Sequence, residues 1–212
     1  MVESLLNRAK AEMRAGNTHP GVQLTTKMYT MAIDAWAKSK EGVKAAHRAE
    51  NILQHMNEMH KSTQNDDLKP TTGIFNAVVN SWAQSKDKKA ASRCEQILGW
   101  MDNLYKNGNE DVKPDTYTYN TVMHALAQNG GKESAIKALG ILESMDRMYR
   151  EGNVSAKPET ISFNIVINAL AKSKEKGAAA EAEKLLQKMQ VLYGAGNLNV
   201  KPNVVSYCAV VS

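Results

Sequence analysis

Lys113-Pro114-Asp115-Thr116-Tyr117-Thr118-Tyr119-Asn120-Thr121-Val122 and Lys157-Pro158-Glu159-Thr160-Ile161-Ser162-Phe163-Asn164-Ile165-Val166 are two copies of one pattern, 44 residues apart. Lys-Pro also occurs at Lys69-Pro70 and Lys201-Pro202, in the same 44-residue register. Five residues after each proline stands an aromatic: Phe75, Tyr119, Phe163 and Tyr207. Tyr29 opens an earlier unit in which Leu24 replaces the proline. A fixed period of this length is the signature of a stacked repeat.

Each unit divides into two helical stretches. The first runs from just before the aromatic to a polar stop, and reads Tyr29 to Lys38, Phe75 to Gln84, Tyr119 to Gln128 and Phe163 to Lys172. Ala32, Val78, Val122 and Val166 form one apolar column, and Ile33, Val79, Met123 and Ile167 the next. Two small columns flank Trp36, Trp82, Leu126 and Leu170: Ala35, Ser81, Ala125 and Ala169 on one side, Ala37, Ala83, Ala127 and Ala171 on the other. Coverage this broad suits a helix with neighbours on both sides.

The second stretch starts at Ala49, Cys94, Ala138 and Ala182 and continues at helical spacing through an isoleucine or leucine, a leucine and a methionine (Met56, Met101, Met145, Met189). The methionines read as core, filling gaps between helices. Gly108-Asn109, Gly152-Asn153 and Gly196-Asn197 close the helix, since glycine tolerates the left-handed terminal conformation. Lys-Pro then blocks continuation. The units are 24–69, 70–113, 114–157 and 158–201, with 202–212 the start of a truncated unit. Residues 1–23 match the second helix of 158–201 plus its loop, from Glu3 against Glu183 to Asn17 against Asn197. Both ends therefore fall inside a unit, as expected of a piece of a longer array.

Composition narrows the chemistry. The net charge of +5 and pI near 9.1 suit a polyanionic partner without requiring one. Cys94 and Cys208 lie too far apart for ligand or redox spacing, which favours a reducing compartment. No apolar run suits a membrane span, and Met1 to Leu6 lacks the regions of a signal peptide. His55 and His60 are split across helix faces, so no metal or other cofactor is expected. Lys86-Asp87-Lys88-Lys89 reads as a solvated turn. No deaminase tail, nuclease aspartate cluster or phosphate loop is present, and the chain is not expected to be an enzyme or to take a small-molecule substrate.

The two quoted strings resemble the opening of the pentatricopeptide repeat, Pro-Asp-x-x-Thr-Tyr-Asn, and the Ala-x-x-x-Leu-x-x-Met run of the second helices is similar to that family's second helix. The resemblance covers nearly the whole chain. It departs in length, 44 residues against about 35, the excess falling in the second helix and the Gly-Asn loop. The Trp-x-x-Leu-Gly-x-x-Tyr opening of the peptide-binding tetratricopeptide relatives is absent. The implied fold is an all-α, right-handed solenoid of helical hairpins with one concave face. The implied function is selective binding of single-stranded RNA, one base per repeat. RNA stability, processing, splicing or editing in a mitochondrion or chloroplast would follow, with other RNA-processing proteins as further partners. The alternatives are a protein-interaction scaffold of the same shape and the specificity arm of an RNA-processing enzyme.

Residue by residue, the resemblance implies four base-selecting pairs: Thr30 with Thr71, Asn76 with Asp115, Asn120 with Glu159, and Asn164 with Asn203. Asn/Asp would favour uracil, Asn/Asn cytosine or uracil, and Asn/Glu a pyrimidine; Thr/Thr departs from the common combinations. Cys208 would open a fifth pair. Position alone fits N-terminal capping by Asn76, Asn120 and Asn164 equally well. Lys27, Gly73, Tyr117, Ile161 and Val205 match the position that sandwiches bases, glycine being a poor stacker. Lys38 and Lys172, with Gln84 and Gln128 in the same column, match a phosphate-contacting position; a lysine favoured by the helix dipole is the plainer reading.

Overall fold

The computed structural model describes residues 25–39 and 41–211, and the helix expected within 1–23 lies outside them. Among the described residues there are nine α-helices: α1 Thr26–Lys38, α2 Val43–Thr63, α3 Thr72–Gln84, α4 Ala90–Lys106, α5 Thr116–Asn129, α6 Gly131–Arg150, α7 Thr160–Ser173, α8 Ala178–Gly194 and α9 Val204–Val211. No strand occurs among them.

The first helices begin three residues before the aromatic. The residue after each proline is extended (φ −121° at Thr71, −114° at Asp115, −127° at Glu159) and takes the N-cap position. At Asp115 the carboxylate accepts from the Thr118 backbone N–H at 2.8 Å, and the Thr118 hydroxyl accepts from the Asp115 N–H at 3.2 Å. That reciprocal box satisfies donors the helix start leaves orphaned. Asn76, Asn120 and Asn164 consequently lie in the second turn, where no free backbone donor remains. The capping reading of these asparagines falls, and the caps are the other members of the expected pairs.

The second helices end as the Gly-Asn pattern predicts, with Gly108, Gly152 and Gly196 at φ +92°, +97° and +94°. Gln64 takes the same left-handed position in the 24–69 unit. Lys-Pro does not follow directly. Asn65, Asn109, Asn153 and Asn197 each accept from the backbone two residues on and launch one 3-10 turn, whose last residue is buried: Leu68, Val112, Ala156 and Val200. The lysine of Lys-Pro then lies over a tyrosine in the last turn of the second helix, Lys113 on Tyr105 at 5.4 Å, Lys157 on Tyr149 at 5.8 Å and Lys201 on Tyr193 at 5.7 Å. The 24–69 unit has Lys61 in place of the ring, and Lys69 pairs with Asp111 at 2.9 Å instead.

Met56, Met101, Met145 and Met189 are all fully buried, as are Tyr29, Phe75, Trp82 and Phe163 to within 1%. Buried Glu50 in α2 accepts from the Trp82 indole N–H of α3 at 2.8 Å, which gives both polar groups a partner inside the core. Consecutive first helices pack directly on one another, α1 on α3, α3 on α5, α5 on α7 and α7 on α9. Small buried residues, Ser81, Ala125 and Ala169, permit that approach. Each second helix packs on the first helix of its own unit and of the next, but makes no comparable contact with another second helix. Long charged side chains connect them instead: Glu50 with Arg93 at 3.8 Å, Glu95 with Lys137 at 3.2 Å and Asp146 with Lys188 at 2.7 Å. The first helices thus line the inner face and the second helices the outer one.

A further inter-unit connection was not legible in the apolar pattern. The first helical threonine of each unit donates its hydroxyl to backbone carbonyls of the following turn: Thr72 to Asp111 and Lys113 at 3.1 and 2.8 Å, Thr116 to Ser155 and Lys157 at 3.1 and 2.8 Å, Thr160 to Asn199 and Lys201 at 3.1 and 2.9 Å. Thr26 donates in the same way to Asp67.

Candidate functional site

Residues four apart share a helix face, so each first helix presents one polar stripe. Thr30, Asp34 and Lys38 lie on α1; Asn76, Asn80 and Gln84 on α3; Asn120, His124 and Gln128 on α5; Asn164, Asn168 and Lys172 on α7. The middle column, Asp34, Asn80, His124 and Asn168, was missed by the sequence reading, although its four-residue offset from the pair positions was there to be found. Neighbours within a stripe bond to each other: Gln84 donates to Asn80 at 3.0 Å, Gln128 and His124 are 2.9 Å apart, and Lys38 lies 3.8 Å from Asp34.

The expected pairs span consecutive units. Asn76 Nδ2 lies 3.3 Å from Asp115 Oδ1 and donates to it, and Asn164 Nδ2 donates to Asn203 Oδ1 at 3.1 Å. The opposite atom of each amide is held as well: Thr118 donates to Asn76 Oδ1 at 2.6 Å, and Ser206 donates to Asn164 Oδ1 at 2.7 Å. Asn120 differs. Its Oδ1 is buried and is the only such side-chain atom among the described residues without a hydrogen-bond partner. Ser162, in the position of Thr118 and Ser206, accepts from the Glu159 backbone N–H at 3.1 Å. Thr30 donates to the Thr26 carbonyl of its own helix at 2.8 Å, so its single proton does not reach Thr71.

The five expected stacking positions, Lys27, Gly73, Tyr117, Ile161 and Val205, are all exposed, although three of them are large and apolar (Tyr117 53%, Ile161 61%, Val205 55%). Between α5, α7 and α9 an open groove of about 380 Å³ brings together Ile161, Asn164, Lys172, Asn203 and Val205 with His124 and Asn168. Lys172 and Lys38 are exposed at the far end of their stripes. A second hollow sets Lys27 and Thr71 among Asp66, Asp67 and Asp111, so the face carries both signs of charge.

The paired histidines of α2 are engaged within the fold: His55 Nδ1 is 2.7 Å from the Tyr29 hydroxyl, and His60 Nδ1 is 3.0 Å from the Asn65 carbonyl. Among the described residues no group of three or more His, Cys, Asp or Glu side chains is placed to hold a metal ion, and no helix is long and apolar enough to cross a membrane. Burial pushes the Cys94 thiol up to about 12, with Glu95 adding to it, so that thiol stays protonated and unreactive.

Residues 104–173 match the pentatricopeptide repeat domain. No curated protein matches the chain. The matched segment takes in the end of α4, all of α5 and α6, and α7 to Ser173. The units on either side of it repeat its helix order, so the segment similar to the pentatricopeptide repeat domain is one stretch of a continuous helical array.

Proposed function

We propose that the inner face binds single-stranded RNA, one base per repeat, with the cross-unit side-chain pairs selecting the base. Pentatricopeptide repeats bind RNA as a rule, typically in organelles, which supports a role in the stability, processing, splicing or editing of mitochondrial or chloroplast transcripts. The observation that carries the finer reading is the fixed orientation of the amides. With Asn76 Oδ1 engaged by Thr118, what Asn76 offers a base is an N–H, beside the acceptor oxygens of Asp115. A donor next to an acceptor complements the edge of uracil, whose N3–H lies between two carbonyl oxygens. Asn203 Oδ1 is taken up by Ser206 N–H at 3.2 Å and by Asn164, so its amide hydrogens face outward beside those of Asn164. Two adjacent donors complement the N3 and O2 acceptors of cytosine. Asn120 with Glu159 takes a pyrimidine less strictly, and Thr30 with Thr71 contributes little selection.

Tyr117, Ile161 and Val205 supply surfaces against which bases stack, with Lys27 and Gly73 giving weaker ones. Lys38 and Lys172 face the phosphates, with Gln84 and Gln128 in the same column. Fluorescence anisotropy of the chain with pyrimidine-rich and purine-rich single strands, against DNA and duplex controls, tests the reading. Pyrimidine RNA is expected to bind best, and Asn76→Ala or Asp115→Ala to weaken it by about tenfold, the cost of roughly 1–2 kcal/mol of lost pairing. Salt should lower log affinity with a slope of about −0.7 per phosphate contact. Equal binding to every polyanion would reduce the face to a basic surface, and no binding to any would leave a protein scaffold of the same shape.

A further inference from the structure

We infer that the buried hydroxyl at the third helical position, Thr118 and Ser206, is a positioning group that sets which way round the preceding unit's asparagine presents its amide, and that the Asn120 unit lacks this control. The inference rests on the base-selecting role proposed for those asparagines. Thr118, Ser162 and Ser206 are all fully buried, so no base touches them, and any effect they have on recognition passes through a neighbour.

An asparagine amide has two orientations that fill the same space and exchange a donor for an acceptor. At Asn76 the surroundings decide between them. Turning the amide over would place its oxygen against the Asp115 carboxylate, 3.3 Å away, and its N–H₂ against the Thr118 hydroxyl, 2.6 Å away. The first contact is repulsive. The second would cost Asn76 the Thr118 proton, which would turn to Asp115 Oδ1, 2.8 Å from the same hydroxyl. Asn164 is fixed by the same two contacts, from Asn203 and Ser206. At Asn120 neither contact is present: its Oδ1 is buried with no donor, and Ser162, which accepts from the N-cap N–H just as Thr118 and Ser206 do, makes no bond to it. A buried acceptor without a donor favours whatever rotation supplies one. The Asn120 unit therefore discriminates among bases less than its neighbours, for a reason that lies in the next unit and not in the asparagine itself.

Thr118→Val keeps the shape and removes the hydroxyl, whereas Thr118→Ser keeps the hydroxyl. Two readouts separate the inference from the RNA reading on which it rests. In the free protein, the side-chain amide signals of Asn76 and Asn164 in ¹H–¹⁵N NMR should exchange slowly with water. Thr118→Val should shift and broaden the Asn76 signal, Thr118→Ser should not, and Ser162→Ala should leave the Asn120 signal where it is. With short RNAs varied one base at a time, Thr118→Val should cut base discrimination at the Asn76 position by about fivefold to tenfold, the value of one hydrogen bond. Serine should restore it, and Ser162→Ala should change discrimination at the Asn120 position little. If the valine and serine variants behave alike, or if Ser162→Ala alters base choice as much as Ser206→Ala does, the positioning role is overturned. If the unsubstituted chain binds no RNA, the RNA reading fails. Unchanged Asn76 signals in Thr118→Val would overturn the fixing of the amide even where RNA binding persists.

Discussion

Thr116→Val tests whether the units are coupled through the threonine bridge. Valine matches threonine in shape and in branching at Cβ, so neither a cavity nor a large change in helix propensity enters. What is lost is a proton shared between the Ser155 and Lys157 carbonyls at 3.1 and 2.8 Å. One net hydrogen bond is worth about 1 kcal/mol, and a carbonyl left without its donor adds up to about 1 more where water cannot reach it. Lys157 is half-buried, so part of that second cost is recovered from solvent. The expected loss is about 1–2 kcal/mol, a fall in Tm of roughly 2–8 °C for a chain of this size. Because a repeat array need not unfold in one step, urea unfolding should be paired with hydrogen exchange. Faster exchange should appear across the 3-10 turn Val154–Ala156 and the start of α7, and should leave α1 and α2 untouched. Thr116→Ser should retain most of the stability. A valine variant within about 0.5 kcal/mol of the unsubstituted chain, or exchange raised evenly over all units, would refute the bridge as a coupling element.

Other expectations follow from the same structure. Met145→Ala removes a fully buried side chain from the column between helices and should cost about 2–5 kcal/mol in urea unfolding; a loss below about 1 kcal/mol would show that the site collapses around the gap. Gly73 sits on α3 with only Thr71 Oγ1, at 4.0 Å, near the place of an added Cβ, so Gly73→Tyr should fit. It should tighten RNA binding by about fivefold or more, given roughly 1–3 kcal/mol per stacked base; unchanged affinity would remove this position from the RNA path. Burial by itself would raise the Asp146 carboxyl, but Lys188 and Arg150 outweigh it and hold the group below the usual aspartate range. A folded value below the unfolded one contributes stability that is present above the unfolded pKa of about 3.9 and is lost as pH falls through the folded value. Asp146→Asn should therefore flatten the acid side of the stability profile, and an unchanged profile below pH of about 4 would count against the network.

The fold was largely legible because its decisive signals are apolar and periodic. Burial repeats Val78, Val122 and Val166 in one column and Met101, Met145 and Met189 in another, and a 44-residue period then fixes the pairing of helices. The caps ahead of α1, α3, α5 and α7 escaped the pattern for a polar reason. The first turn carries Thr72 or Thr116 and Gly73 or Tyr117, partly exposed positions that periodicity does not register, so the pattern begins at the aromatic and misses the cap before it. The threonine bridges and the hydroxyls of Thr118 and Ser206 were hidden for the same reason, since a hydrogen bond across 39 to 42 residues leaves no local trace. At the candidate site the residues were legible through resemblance, but their states were not. Nothing local distinguishes Asn76 from Asn120; the difference lies in Asp115 against Glu159 and in how the next unit's hydroxyl is engaged.

The junction-crossing pairs have a consequence for how such arrays change length. Asn76 bonds to Asp115 and Thr118, both of which belong to the following unit. On the base-reading proposed above, a genetic deletion of one whole period therefore does more than remove a letter. Excising Asp115 through Pro158 would splice Asn76 to Glu159 and Ser162, repeating the setting Asn120 now has and losing the one Asn76 has, while an excision of equal length starting after Thr118 would retain Asp115 and Thr118 beside Asn76 and lose Asn120. Two deletions identical in size, and equally compatible with helix stacking, would leave different vocabularies. Where recombination cuts within the period thus matters as much as how many periods it removes, and an engineer exchanging modules should place the seam past the third helical residue.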